Sequence, residues 1–374
     1  MPRDPSMPVS ISTLYVHDSV KSLPWVKTIQ SKLSLSPRII TDVQDAYADL
    51  LKDPDPIAKG KHTLILTRNR GAFVKACPGT RAYNCCGYKI LHVGTYCTMD
   101  CSYCILQAYF HPPVLTFFVN IDDMLAELKQ VFGAPGIHRI GTGEFTDSLI
   151  WDPWTDLSRI LVSAFSKQSS CALELKTKTA DVSALEGLAH HRKTIVAWSL
   201  NTPRVIAAEE QGSASLSKRL SAARRCQRDG YPLAFHFDPL VLYEGCEAEY
   251  IGVLDQLFAS VHPKNIVWIS LGAFRFPPEL KSIIQKRHPD SKLIYGEFIR
   301  GLDQKMRYFK PLRIQLYRKM VKRIRETAPE TTVYCCMEDD AVWKQALGKT
   351  PRRMGGIKGM LDAAAEKMCG LERR

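Results

Sequence analysis

Residues 171–202, CALELKTKTADVSALEGLAHHRKTIVAWSLNT, hold one repeat of the pattern that decides the fold. CALELKTKT and TIVAWSLNT are short runs bounded by polar residues, and both read as strands. DVSALEGLAHH, between them, spaces its apolar residues as a helix does. Upstream, HRIGTGEFTDS is a strand entering a glycine-rich turn, and SRILVSAFSKQ is a helix. Downstream come a helix, LSKRLSAARRCQRDG, a strand, YPLAFHFDPL, a helix, EYIGVLDQLFASV, and a strand, NIVWISLGAF. Strands alternating with helices over short connections predict parallel strands wrapped by helices. Counting from KILHVGT at residue 89, six such units fit before Phe274. The expected fold is α/β, a partial (β/α)6 TIM-type barrel, because a full barrel needs eight units.

The flanks break the rhythm. In the lead-in, residues 1–75, ISTLYVHDSV and HTLILTRNRG are strands and DVQDAYADLLKDPDP is a short helix. VLTFFVN is a further strand, and Asn120 is the N-cap candidate of the helix IDDMLAELKQVF. The barrel is expected over residues 76–276. Residues 277–374 form a C-terminal α+β extension with a basic helix, RIQLYRKMVKRIRET, and a strand, TTVYCCM.

The chain has 374 residues and a net charge of +13, with 45% hydrophobic and 24% charged residues, which excludes a disordered polyampholyte and a small disulfide scaffold. No run approaches the ~18 apolar residues of a membrane helix, and MPRDPSMPVS lacks the apolar core of a secretory signal. The expected location is the cytoplasm, with no membrane partner. The positive balance favours an anionic partner, nucleic acid first. Arg, Lys and Tyr interleave in KPLRIQLYRKMVKRIRE, although the simplest account of that segment is the solvated face of a packed helix.

Twelve cysteines in a reducing compartment point to metal or redox chemistry rather than structural disulfides. Six of them fall within KACPGTRAYNCCGYKILHVGTYCTMDCSYCILQAYF, residues 75–110. Cys97, Cys101 and Cys104 have the spacing C-x3-C-x2-C just after the first barrel strand, where three thiolates can converge on one soft metal centre. Three ligands leave a coordination position open. The alternative is a zinc knuckle completed by Cys77, Cys85, Cys86 or His92, for which the adjacent Cys85 and Cys86 are poorly spaced.

The triplet, with Tyr103 before its last cysteine, resembles the radical SAM signature. CSYCILQ, FFVN, GEFTDSL, the TK of KTKT, SLN, GYPLAFHFDPL and YEG together resemble the spore photoproduct lyase family, from Cys77 to Phe276. The resemblance implies a 4Fe-4S cluster on Cys97, Cys101 and Cys104 whose fourth iron takes S-adenosyl-L-methionine. It implies reductive cleavage of that molecule to a 5′-deoxyadenosyl radical. It also implies an electron donor such as flavodoxin or ferredoxin, and damaged DNA as substrate. By the same resemblance Gly143 and Glu144 face the methionine amino group, Lys178 its carboxylate, and Ser199 and Asn201 the ribose and methionine. Lys176 is the rival of Lys178, two residues earlier on the same strand face. Tyr103 is the candidate catalytic residue.

One departure bears on the reaction. The lyases carry a cysteine near the end of the second strand that returns a hydrogen atom to the product radical. Phe145 stands there in this chain, and no cysteine occurs between Cys104 and Cys171. Cys77, Cys85, Cys86, Cys335 and Cys336 remain as other thiols, or the substrate differs. The competing reading is a non-enzymatic iron–sulfur or zinc protein that binds nucleic acid in response to redox state. The strand-end motifs of GTGE, KTKT and SLN would be superfluous in such a protein.

Overall fold

The computed structural model describes residues 10–79 and 82–373. Seven strands lie side by side in chain order: β1 (Lys89–Leu91), β2 (His138–Gly141), β3 (Cys171–Thr177), β4 (Thr194–Ser199), β5 (Leu233–Leu240), β6 (Ile266–Ala273) and β7 (Thr332–Cys335). Every pairing among them is parallel. Val74–Ala76 adds an antiparallel edge beyond β1. The sheet is therefore open, a partial barrel. β4 and β6 are buried at every residue, which explains their nearly unbroken apolar sequences. The six strands expected from the alternation are β1 to β6. The C-terminal segment does more than extend the barrel, since its strand joins the same sheet beside β6 as β7.

VLTFFVN does not enter the barrel. Its strand, Leu115–Phe118, pairs with Thr63–Thr67 in a second sheet, ordered Arg38–Ile40, Thr13–His17, Thr63–Thr67, Leu115–Phe118, Gly94–Thr95. The lead-in is thus a mixed sheet that takes two strands from residues just outside the barrel rhythm. One continuous apolar core runs from Leu14 and Val16 of this sheet through β1 to β7.

Two local expectations fail for identifiable reasons. DVSALEGLAHH makes only a 3-10 turn, Ser183–Leu185. Gly187 has φ +68°, and His191 and Arg192 are also left-handed, so the backbone leaves the helical region within one turn. Asn120 occupies the N-cap position of Ile121–Gly133 without capping it. Its side chain binds the backbone of Asn69 instead, accepting from the Asn69 N–H at 2.9 Å and donating to the Asn69 carbonyl at 3.2 Å. That choice ties the loop after Thr67 to the helix start.

The basic helix spans Lys310–Thr327 and buries Ile314, Leu316, Met320, Val321 and Ile324. Arg313 is buried with them and donates to both carboxylate oxygens of Glu338, at 2.8 and 3.0 Å. Outer cations are engaged too: Lys319 pairs with Glu247, and Arg323 with Asp255 at 2.6 Å. Among the described residues no helix is long and apolar enough to cross a membrane.

Candidate active site

Parallel barrels expose their strand carboxyl ends on one rim, and loops there carry the chemistry. The loop after β1 carries Cys97, Cys101 and Cys104 to that rim. Cys97 and Cys101 are buried and Cys104 is half-buried. Burial pushes the Cys97 thiol up to about 12, helped by the nearby Asp147 carboxylate. Burial also raises Cys101, opposed by the Lys178 ammonium. Each of these two thiols lies within electrostatic range of Cys104, so the three are neighbours.

The loop is held through its backbone. Gln107 Nε2 donates to the carbonyls of Cys101, Ser102 and Cys104 at 3.2, 3.1 and 3.3 Å. Buried Lys61 donates to the carbonyls of Cys97 and Met99, at 3.4 and 2.5 Å, and its ammonium lies 4.4 Å from the Tyr96 ring centroid. Arg287 donates to Gln107 Oε1 at 2.5 Å and to both oxygens of Asp100. Asp100–Cys101 also pairs antiparallel with Glu210–Gln211, a short ladder between the loop and the segment beyond β4.

Around that ladder several predicted residues meet. The Tyr103 hydroxyl donates to Glu210 Oε1. Arg219 donates to Glu210 Oε2 at 2.5 Å and to the Ser199 carbonyl at 2.8 Å. Asn201 Nδ2 donates to Glu210 Oε1 at 3.3 Å and to the Pro239 carbonyl at 3.0 Å, while Tyr250 donates to Asn201 Oδ1 at 2.7 Å. The Lys178 ammonium lies 5.7 Å from the Tyr103 ring centroid. Burial works against the Glu210 charge, but Arg219, Lys178 and Tyr103 outweigh it and hold the carboxyl below its usual range. Tyr103, Lys178, Ser199 and Asn201 thus converge beside Cys101. The Ser199 backbone makes that contact through Arg219.

Gly143 and Glu144 lie elsewhere on the rim. A Cβ on Gly143 would come within 2.8 Å of the Lys176 Cβ and 3.1 Å of its carbonyl, so this crossing requires glycine. Glu144 pairs with Lys176 at 3.9 Å, not with Lys178. The two lysines therefore divide: Lys176, within β3, pairs with Glu144, and Lys178, one residue past the strand's end, lies against the Tyr103 ring of the thiol loop. Between them, buried Asp147 accepts from the Lys178 backbone N–H at 2.8 Å and from the Thr177 hydroxyl at 2.8 Å. Phe145 is an aromatic wall. Its ring lies 5.0 Å from His92 and 6.2 Å from Phe110, and its carbonyl accepts from the Tyr96 N–H at 2.8 Å.

Sequence reading missed Lys61, Gln107, Asp147, Glu210, Arg219 and Arg287. One signal was available, because Arg219 interrupts the apolar stripe Leu216, Leu220, Ala223 of its helix, and a cation on a buried face needs an acid. Lys61, Asp147 and Arg287 act on residues at least 30 positions away, whereas Gln107 acts within six residues, where no spacing marks it.

Three soft thiol donors on one loop, pinned through their backbone and flanked by the Lys61 and Lys178 ammonium groups, fit an iron–sulfur cluster with an open iron.

Half-barrel and thiol loop together define a radical SAM enzyme. The family model for spore photoproduct lyase matches residues 74–334, and the chain belongs to that family. The spore photoproduct lyase of Clostridium acetobutylicum is 26% identical over 238 residues, 63% of this chain and 69% of that protein. The Bacillus subtilis lyase is 29% identical over 209 residues, 54% of this chain and 61% of that protein. A solved structure of spore photoproduct lyase complexed with dinucleoside spore photoproduct aligns with a TM-score of 0.75 at 23% identity, covering 89% of this chain and 100% of that one, which shows the shared fold.

Proposed function

We propose that Cys97, Cys101 and Cys104 hold a 4Fe-4S cluster and that the chain acts on a nucleic-acid lesion. When bound, cluster and S-adenosyl-L-methionine supply a 5′-deoxyadenosyl radical on reduction. The chain's own residues do the rest. Lys178, its ammonium 5.7 Å from the Tyr103 ring centroid, is the cation we assign to an anionic carboxylate. Ser199 offers a short hydrogen-bonding side chain at the strand end, Asn201 braces that end through Glu210, Pro239 and Tyr250, and Glu144 offers an acceptor for an ammonium across Gly143. Tyr103 is a positioning residue that keeps the loop against Glu210.

The observation that carries this reading is the joining of the thiol loop to Tyr103, Lys178 and Asn201 through the Glu210–Arg219 pair. It is tested by anaerobic loading with iron and sulfide, then dithionite and S-adenosyl-L-methionine. Formation of 5′-deoxyadenosine is expected. A colourless protein that binds only zinc would overturn the reading in favour of a non-enzymatic binder.

The named relatives are lyases of spore photoproduct, and a thymine lesion in DNA is the first substrate to test. Phe145 favours a second reading within the same chemistry. A phenyl ring has no labile X–H bond, so hydrogen return at that position is impossible and the substrate need not be the same lesion. Restoration of thymine from irradiated spore-type DNA supports the first reading. Vigorous 5′-deoxyadenosine formation without thymine supports the second.

A further inference from the structure

Glu209 closes the helix Pro203–Glu209 and Glu210 follows it, and both side chains are buried. Only one of the two is matched by a cation. Glu210 pairs with Arg219. Glu209 accepts on Oε2 from two hydroxyls, that of Ser102 and that of Ser291 at 2.9 Å, and among the described residues no cation pairs with it. Ser102 follows Cys101 on the thiol loop, and its backbone N–H donates to the Glu209 carbonyl at 2.9 Å. Glu209 is thus fastened to the loop through both its side chain and its main chain.

The other acids around the loop are neutralised. Asp100 lies 3.5 Å from Lys61 Nζ and 3.0 Å from Arg287 Nη1. Burial pushes the Asp147 carboxyl up, toward its neutral form. His288, the imidazole within range of Glu209, is held below its ordinary value by burial and carries little positive charge at neutral pH. A buried carboxylate served by two neutral hydroxyls recovers only part of its lost hydration, so an apolar residue would cost the fold less. The charge itself is the feature to explain.

Charge near an iron–sulfur centre acts on its reduction. Reduction adds an electron, and a fixed negative charge in dry surroundings opposes it. Net charge, hydrogen bonds to sulfur and solvent exposure are the levers that place the potential. One donor acts in the opposite sense here, the Met99 N–H, which points at Cys97 Sγ from 3.4 Å.

We propose that Glu209 holds down the reduction potential of the cluster on Cys97, Cys101 and Cys104 through its unpaired buried charge. The inference rests on the cluster reading above and adds to it a residue that governs electron entry.

The test is a redox titration of the anaerobically loaded protein, followed by the paramagnetic signal of the reduced cluster. Glu209→Gln keeps an acceptor for Ser102 and Ser291 and removes the charge. Its equilibrium constant for reduction is expected to rise about tenfold, which is 59 mV for a one-electron couple. Glu209→Asp keeps the charge and should stay close to the wild type. Circular dichroism and iron content confirm fold and loading, and if Glu209→Gln does not load, Glu209→Ala carries the same expected sign. A loaded neutral variant whose potential is unchanged or lower overturns the proposal, as does a Glu209→Asp protein that rises as far as Glu209→Gln. A wild type that takes up no cluster defeats the cluster reading and this inference together, whereas an unmoved potential in a loaded variant defeats the inference alone.

Discussion

Glu210 is where the candidate site is most exposed to single substitutions. Its carboxylate is wholly buried and receives Tyr103, Arg219 and Asn201. Glu210→Gln leaves the Arg219 cation buried without its counter-charge, and breaking a buried pair this way costs about 3–5 kcal/mol. Tyr103→Phe removes one hydrogen bond to a charged group, about 1.5–3 kcal/mol. Urea denaturation should rank the two in that order, and a larger loss for Tyr103→Phe would contradict the assigned pairing. A second comparison separates ligands from fillers. Cys97→Ala should abolish retention of the loop cluster, read as loss of the signal that S-adenosyl-L-methionine shifts. Cys369, buried where the last helix ends, should be replaceable by Ala without changing iron content. Equal loss from both would remove the basis for singling out the triplet.

Elements were legible wherever one local pattern decided them. β3, β4, β5 and β6 appear in the sequence as apolar runs because both faces of each strand are covered. The turn at Ser183–Leu185 was misread as a helix because the apolar period was intact and the left-handed backbone at Gly187, His191 and Arg192 left too faint a mark. The triplet was legible as a spacing, whereas its support was not. Lys61 and Arg287 reach the loop from 36 and 187 residues away in the chain, and no local pattern carries such information. That support makes its own prediction. Gln107→Leu strands three carbonyls and frees Arg287 from one partner. The loop should then hold its cluster less tightly, so that chelator removes iron several-fold faster while the folded secondary structure persists. An unchanged release rate would show that Lys61 and the Glu210–Gln211 ladder suffice.

The net charge of +13 tempts one to read the whole molecule as a nucleic-acid binder, with Lys310–Thr327 as its contact face. The packing argues otherwise for that helix. Arg313 is committed to Glu338, Lys319 to Glu247 and Arg323 to Asp255 and Glu326, and the Arg318 guanidinium donates to the Gln345 carbonyl at 2.7 Å. The helix packs against Cys246–Ser260 and Asp340–Leu347, and its Tyr317 hydroxyl accepts from the Ala273 N–H at the end of β6 at 2.7 Å. Cations already paired within the chain release few counterions when DNA arrives, and each phosphate contact contributes about 0.9 to the slope of log affinity against log salt. Replacing Lys319 and Arg323 together by Gln should therefore leave that slope unchanged for duplex DNA, while lowering stability by no more than about 1 kcal/mol per exposed pair. If the slope instead falls by nearly two, Lys319 and Arg323 meet phosphate directly, and their pairing with Glu247 and Asp255 gives way when DNA binds.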